Sequence, residues 1–297
     1  MNKLTTEKRI QILSMLVEGS SMRSISRVVD VSINTVTKLL VDAGTACAAH
    51  HDQHVRGINA QRIECDEIWS FCGSKEKNVP KEQKGNYGVG DGWTWTAIDA
   101  DSKLICGYLA GKRDAQYANA FMLDLASRLK TRVQLTTDGH GAYLKAVQGA
   151  FGFQVDYAQL VKVYGPPVGV GSERRYSPAD FVRADKNPMI GNPRFENIST
   201  SFVERQNLTM RMSMRRFTRL TNAFSKKMEN HIHSLAIYFT VYNFVRIHKS
   251  LKTTPALQAG ITDKLWSMAD LAALVTANET TPANRGTYKP RKPQISN

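Results

Sequence analysis

The hydrophobic pattern changes period once, at Arg62, and that change constrains the fold more than any other feature of the chain. Before it, apolar residues recur at helical spacing, as in Ile10, Leu13, Leu16 and Val17. From Arg62 onward the apolar runs are short and extended, and helical stretches alternate with them. A chain patterned this way cannot be all-helical or an all-β sandwich. It calls for an all-α segment followed by an α/β domain.

Residues 5 to 44 read as three short helices. Gly19-Ser20-Ser21 ends the first, and Ser21 is placed to cap the second, Met22 to Val29. Asp30-Val31-Ser32 forms a tight turn, with Ser32 as the cap of a third helix running to Leu40. Two helices joined by so short a turn, the second carrying Asn34, Thr35, Thr37 and Lys38 outward, make a helix-turn-helix pattern. Those four side chains are therefore candidate DNA contacts, and residues 1–45 a DNA-binding domain. Cys47, His50, His51 and His54 then crowd the stretch 46–61. A zinc site would need a second ligand pair at a recognisable distance, and none is evident, so a polar linker is the better reading.

The extended region opens with Ile63 to Phe71, a strand holding Glu64, Asp66 and Glu67, three acids in four residues. Alternation puts Glu64 and Asp66 on one face and Glu67 on the other. Trp93–Ile98 and Leu104–Leu109 follow as a hairpin around Asp99-Ala100-Asp101-Ser102. Asp114 can cap a helix with Ala118, Phe121, Met122, Leu125 and Leu129 inward. The strand Val133–Thr137 then delivers Asp138 to its end, where open α/β sheets place functional groups. A helix from Ala142 to Ala150 and a strand from Phe153 come next. Residues 165–199, rich in proline and arginine, read as a long irregular segment.

The next helix carries Glu204, Asn207, Leu208, Arg211 and Arg215 on one stripe, beside an apolar stripe of Val203, Met210, Met214 and Phe217. A carboxylate with arginines two and three turns along suits a metal ligand beside a phosphate backbone. Charge sharpens this. The net charge is +14, and between Arg205 and Lys252 ten basic residues face the single acid Glu229. Such a one-signed segment fits a polyanion, with Arg205, Arg211, Arg215, Arg216, Arg219, Lys226, Lys227 and Lys249 as candidate phosphate contacts. Four scattered cysteines form no CxxC pair and point to a reducing compartment. The first residues carry no signal-peptide pattern and no long apolar run follows, so a membrane is not expected as a partner and a cytoplasmic protein is.

Four motifs in order carry a family resemblance: Asp66-Glu67-Ile68-Trp69-Ser70, Thr137-Asp138-Gly139, Phe202-Val203-Glu204-Arg205-Gln206-Asn207, and Tyr242-Asn243-Phe244 through His248-Lys249-Ser250-Leu251 to Thr254-Pro255-Ala256. They resemble those of bacterial DDE-type insertion-sequence transposases, most closely the insertion-sequence-one family, from about Gln61 to Ile261. The resemblance implies a ribonuclease H-like mixed sheet with helices on both faces over 62–220, after the helix-turn-helix domain. A basic helical extension over 221–262 and a C-terminal helix with a mobile basic tail over 263–297 would follow. It implies Asp66, Asp138 and Glu204 as metal ligands, with Glu64 and Glu67 as near alternatives to Asp66, and Arg211 as a basic partner of the reaction. Two Mg2+ (or Mn2+) ions are implied as cofactors, with terminal inverted repeats and target DNA as partners. The protein would be at least a homodimer, nucleoid-associated in a bacterium. Two alternatives remain open at this point: a structure-specific nuclease or resolvase with the same chemistry, and a catalytically silent helix-turn-helix regulator.

Overall fold

A computed structural model describes residues 3–166, 179–218 and 221–279. The chain opens with three helices, α1 (Thr6–Val17), α2 (Met22–Val29) and α3 (Ile33–His54). Each is started by a hydroxyl that accepts from a backbone amide three residues on: Thr5 from Lys8, Ser21 from Ser24, Ser32 from Thr35. The turn between α2 and α3 is made by Asp30 in the left-handed region, φ 53°.

The sheet follows: β1 (Arg62–Cys72), β2 (Gly90–Asp99), β3 (Ile105–Gly111), α4 (Ala115–Arg128), β4 (Val133–Thr137), α5 (Ala142–Phe151), β5 (Val155–Tyr164) and β6 (Phe181–Ile190). The spatial order is β3-β2-β1-β4-β5-β6. β1, β2 and β3 are antiparallel neighbours, β4 and β5 run parallel to β1, and β6 returns antiparallel on β5. The expected order of strand, hairpin strands, helix, strand, helix, strand is present.

Alternation along β1 sorts its side chains. Ile63 and Cys65 belong to the apolar layer shared with Trp95, Phe121, Leu125 and Tyr143, under α4 and α5. Ile68 belongs to the opposite layer with Val203, Met210, Phe217, Leu235 and Phe239, under α6 (Ser201–Ser213) and α7 (Met228–Thr240). Helices therefore cover both faces. A π-turn (Val241–Val245), the short α8 (Pro255–Gln258) and α9 (Met268–Ala277) complete the described chain.

Several sequence expectations change here. The segment 165–199 is not irregular throughout, because Phe181–Ile190 is the edge strand β6. Largely exposed and with Pro188 inside it, this strand lies at the edge of the sheet, beside β5 alone among the described strands. The expected linker 46–61 is largely the second half of α3, so Cys47, His50, His51 and His54 are helical residues. Cys47 and His51 are buried, while His50 and His54 stack at 4.1 Å between ring centroids, with His50 also against Phe244 and Trp266. They serve packing.

Nor do the first three helices close a core of their own. Ile12, Leu13, Ile25, Val36 and Leu40 share one apolar cluster with Ala236, Ile237 and Val241 of the α7 region and Leu271 and Val275 of α9. Burial of one aliphatic side chain is worth roughly 1.5–3 kcal/mol. Pulling that layer apart would expose several, which approaches the whole stability of a domain. Gly44 lets α3 approach α7, since a Cβ there would lie 2.3 Å from His233 Cβ. The helix of Glu204 ends at Ser213, so Arg215 lies beyond it in a 3-10 turn, Arg215–Phe217. Arg219 and the basic tail after Glu279 lie outside the described residues. No described helix is long and apolar enough to cross a membrane.

Candidate functional site

The site arises from a mismatch in strand length. β4 stays beside β1 only as far as Thr137, opposite Cys65, while β1 runs on to Cys72 beside β2, with a single bridge to Ser225 at its end. Asp66 and Glu67 are thus the first β1 residues with no β4 neighbour, and Asp138 turns off β4 into that gap. The two β1 acids point to opposite faces of the strand, yet both reach Asp138 because it stands past the strand end. Ligand oxygens of Asp66, Glu67 and Asp138 all lie within 4.8 Å of one another. Among the described residues this is where acids, histidines or cysteines gather closely enough to hold a metal ion.

Each carboxylate is held from outside. Asn207 Nδ2 donates to Asp66 Oδ2 at 2.8 Å, from one turn beyond Glu204 on α6. The His140 amide donates to Asp138 Oδ1 at 3.0 Å. Arg113, just after β3, bridges Glu67 Oε2 at 3.1 Å and Asp138 Oδ2 at 3.2 Å, with its guanidinium over the Trp93 ring. One arginine against three acids leaves the group under-neutralised. Burial, then the charges of Asp138 and Glu204, push the Asp66 carboxyl up to about 6. Burial and Asp138 push Glu67 up to about 7, with the Tyr143 hydroxyl and then Arg113 offsetting only part.

Glu204 approaches from α6 close enough for its charge to act on Asp66, but it does not join the 4.8 Å group. Its carboxylate receives Lys162 Nζ of β5, at 2.6 Å on Oε1, and the Thr200 hydroxyl, also at 2.6 Å. Glu64, on the Asp66 face, has a structural task instead. Its Oε2 accepts from the amides of Phe202 at 2.7 Å and Val203 at 3.0 Å, anchoring the N-terminus of α6. Arg211 lies half-buried on the last turn of α6, on the stripe of Glu204 and Asn207.

The remaining candidate contacts are dispersed. Asn34 and Lys38 are exposed on the start of α3, where Lys38 pairs with Asp42; Thr37 bonds back to the Ile33 carbonyl at 2.9 Å and Thr35 lies beside Ser32. Arg205, Arg215, Lys226, Lys227 and Lys249 are exposed, and Arg216 is half-buried. Arg113 and Lys162 escaped the sequence reading because nothing local marks them: one sits in a strand-to-helix loop, the other in a strand. Asn207 was on the stripe but had no acid to serve until β1 was placed under it.

No protein-family model matches the chain, and no curated protein matches it. Among solved structures, it is similar to a piggyBac transposase synaptic complex with hairpin DNA, at 11% identity and a TM-score of 0.43, over 94% of this chain and 73% of that one. It is also similar to a Mos1 transposase paired-end complex with the left transposon end, at 11% identity and a TM-score of 0.21, over 50% and 58%. A Mos1 strand transfer complex matches at 11% identity and a TM-score of 0.24, over 80% and 76%.

Proposed function

We propose that the protein is a metal-dependent DNA transposase of the DDE type, built on a ribonuclease H-like sheet, that cuts DNA at element ends and joins the freed 3′-hydroxyls to target DNA. What carries this reading is the meeting of Asp66 and Asp138 at the gap between β1 and β4, with Glu204 brought over them by α6. The donor set fits a hard divalent ion such as Mg2+ or Mn2+. It is all oxygen and short of positive charge. Asp66, Asp138 and Glu204 are the proposed ligands, with Glu67 close enough to serve beside them.

Two such ions about 4 Å apart would supply Lewis acidity and a more acidic water or hydroxyl for an in-line displacement at phosphorus. The protein's own part is positional. Asn207 fixes the rotamer of Asp66, and the His140 amide that of Asp138. Glu204 comes from a helix rather than the sheet, so the ligands converge from two layers and leave the solvent side for DNA. Arg211, on the Glu204 stripe, is placed to hold a phosphate by paired hydrogen bonds. The outward residues of α3, Asn34, Thr35, Thr37 and Lys38, are the proposed base-reading group of a helix-turn-helix. The exposed cations Arg205, Arg215, Lys226, Lys227 and Lys249, with the half-buried Arg216, would follow the backbone.

The test uses the purified full chain with Mg2+ and oligonucleotides carrying the DNA that brackets its gene. Wild type should cleave at the repeat end and join the 3′ strand to a target duplex. Asp66→Asn, Asp138→Asn and Glu204→Gln should each bind that DNA and fail to join it. Near-normal joining by any one removes that residue from the site. Cleavage without any joining would make the protein a nuclease with the same metal chemistry, and binding without cleavage a silent regulator.

A further inference from the structure

Away from the acids, a cleft of about 250 Å3 opens between the α1–α2 turn and the chain that leaves α6. Ser21 lines one wall, and Arg215, Arg216, Lys226, Asn230 and Ser234 the other. Its width depends on Gly19, whose φ is +76° and where a Cβ would lie 2.8 Å from the Ser213 carbonyl oxygen. Among the described residues that line it, three are cations and none is an acid. None of the three cations has a carboxylate at ion-pair distance among the described residues.

Arg216 is the built part of this cleft. Its Nη1 donates to Ser225 Oγ at 2.9 Å. That hydroxyl lies 2.9 Å from His231 Nδ1 and donates to it when the proton sits on the histidine's other nitrogen, the tautomer that Ser70 requires. His231 Nε2 then donates to Ser70 Oγ at 3.4 Å, and Ser70 to the Gly92 carbonyl at 3.1 Å. Ser225, His231 and Ser70 are all at least 98% buried. The relay runs in one direction only while the ring is neutral, and burial keeps it so, pulling His231 down to about 3. Ser225 is also pinned by its own carbonyl, which accepts from the Gly73 amide at 2.8 Å. Three buried polar side chains thus orient a guanidinium that faces no acid. Lys226 is steadied too, with Nζ 3.2 Å from the centre of the Phe224 ring.

We propose that this cleft is a phosphate pocket, in which Arg216 holds phosphoryl oxygens and Arg215 and Lys226 add positive charge at its mouth. The phosphate comes from a strand of bound DNA or, failing that, from a free phosphate or phosphomonoester. The relay begins at Ser70, four residues past Asp66 on β1 and so ~13 Å along that strand. A DNA strand crossing the acids could place a phosphate a few nucleotides away into the pocket. Only the DNA source rests on the transposase reading.

The experiment compares the full chain with Arg216→Gln, Lys226→Gln and Ser225→Ala, using Lys145→Gln on exposed α5 as a charge control. Binding of a fluorescent duplex is followed against salt, and melting temperature against added inorganic phosphate. Arg216→Gln should reduce the slope of log K against log salt by about one and lose any phosphate-induced rise in melting temperature, while Lys145→Gln matches wild type. Lys226→Gln and Ser225→Ala should fall between, and they carry the test if Arg216→Gln does not fold. A Ser225→Ala protein identical to wild type would refute the relay. A change in the phosphate response without a change in salt slope supports the pocket and makes its ligand a free phosphate. Unchanged slope and no phosphate response in wild type overturn the proposal. Asp66→Asn, which should not cleave, should show the full wild-type response, so failure of the catalytic reading and failure of the pocket are told apart.

Discussion

Two clusters of arginine and carboxylates in this molecule use the same chemistry to opposite ends. At the end of α4, buried Arg128 spends its donors on Asp124 at 2.8 and 2.9 Å, Asp52 at 2.9 Å and the Val55 carbonyl at 3.1 Å. Arg56 adds a second cation on Asp52 at 2.6 Å. Two arginines thus meet two aspartates. Arg56 and then Arg128 hold the Asp52 carboxyl below its ordinary value. At the end of β4 one arginine pairs with two of three clustered acids, Glu67 and Asp138, and the carboxyls of Asp66 and Glu67 are pushed up. A balanced cluster ties α3 to α4 and asks for nothing more. An unbalanced one is relieved by protonation or by a cation supplied from outside, which is why we propose the second as a metal site and the first as a brace.

The contrast is sharpest in what substitution does. Asp66→Asn or Asp138→Asn should lower cleavage and joining by on the order of 10³-fold, comparable to removing a key charge-stabilising group elsewhere. The melting temperature without metal should hold or rise, since a repulsion is relieved. At an ion concentration of about 100 times its dissociation constant, Mn2+ should stabilise wild type by roughly 2.7 kcal/mol and these variants far less. If Mn2+ leaves the wild-type melting curve unmoved, the acids are not a metal site. Arg128→Ala should do the reverse. It should cost roughly 2–3 kcal/mol in a denaturant melt, less than a fully buried pair because Asp52 and Asp124 reach water. Turnover per folded molecule should stay within twofold, and a large loss of turnover at full stability would break the comparison.

Glu67→Gln should have an intermediate effect, weakening Mn2+ affinity about 10-fold in a calorimetric titration while leaving the unliganded protein at least as stable. The smallest expected effect is on the brace side. His51, beside Arg128, is buried, and burial followed by the Arg128 charge pulls it down to about 3. Its ordinary value is 6.5, so between about 6.5 and 3 the unfolded chain takes up a proton that the folded chain refuses. Its contribution to stability is therefore complete above about 6.5 and declines as pH falls, by on the order of 1 kcal/mol per pH unit. Urea midpoints at pH 7 and 5 should differ less in His51→Leu than in wild type.

Much of the scaffold could be read directly. Ser21, Ser32 and Asp114 cap the helices that their spacing announced, and β4 begins and ends at Val133 and Thr137 as expected. These features are local, decided within a few residues by capping geometry and side-chain alternation. β6 was missed because an exposed edge strand has no apolar face to display. The true length of α3 was missed because its second half carries histidines that read as a polar linker. The three proposed acids could be singled out, with Glu64 and Glu67 as alternatives to Asp66, yet which of these joins the site, and the parts of Arg113 and Lys162, could not be assigned. Their roles follow from β4 stopping short beside β1 and from β5 lying within reach of α6.

By itself, then, the sequence determined which residues cap α2, α3 and α4, where β4 runs, which face of β1 each acid takes, and a one-signed basic charge that suits a polyanion. Tertiary structure alone decided that Glu64 anchors a helix while Glu67 joins Asp66 and Asp138, and that the N-terminal helices share their core with α7 and α9. The reason is the range of the forces involved. Capping and alternation act over a few neighbouring residues. The pairing of charges and the sharing of apolar surface depend on which distant segments the fold brings into contact.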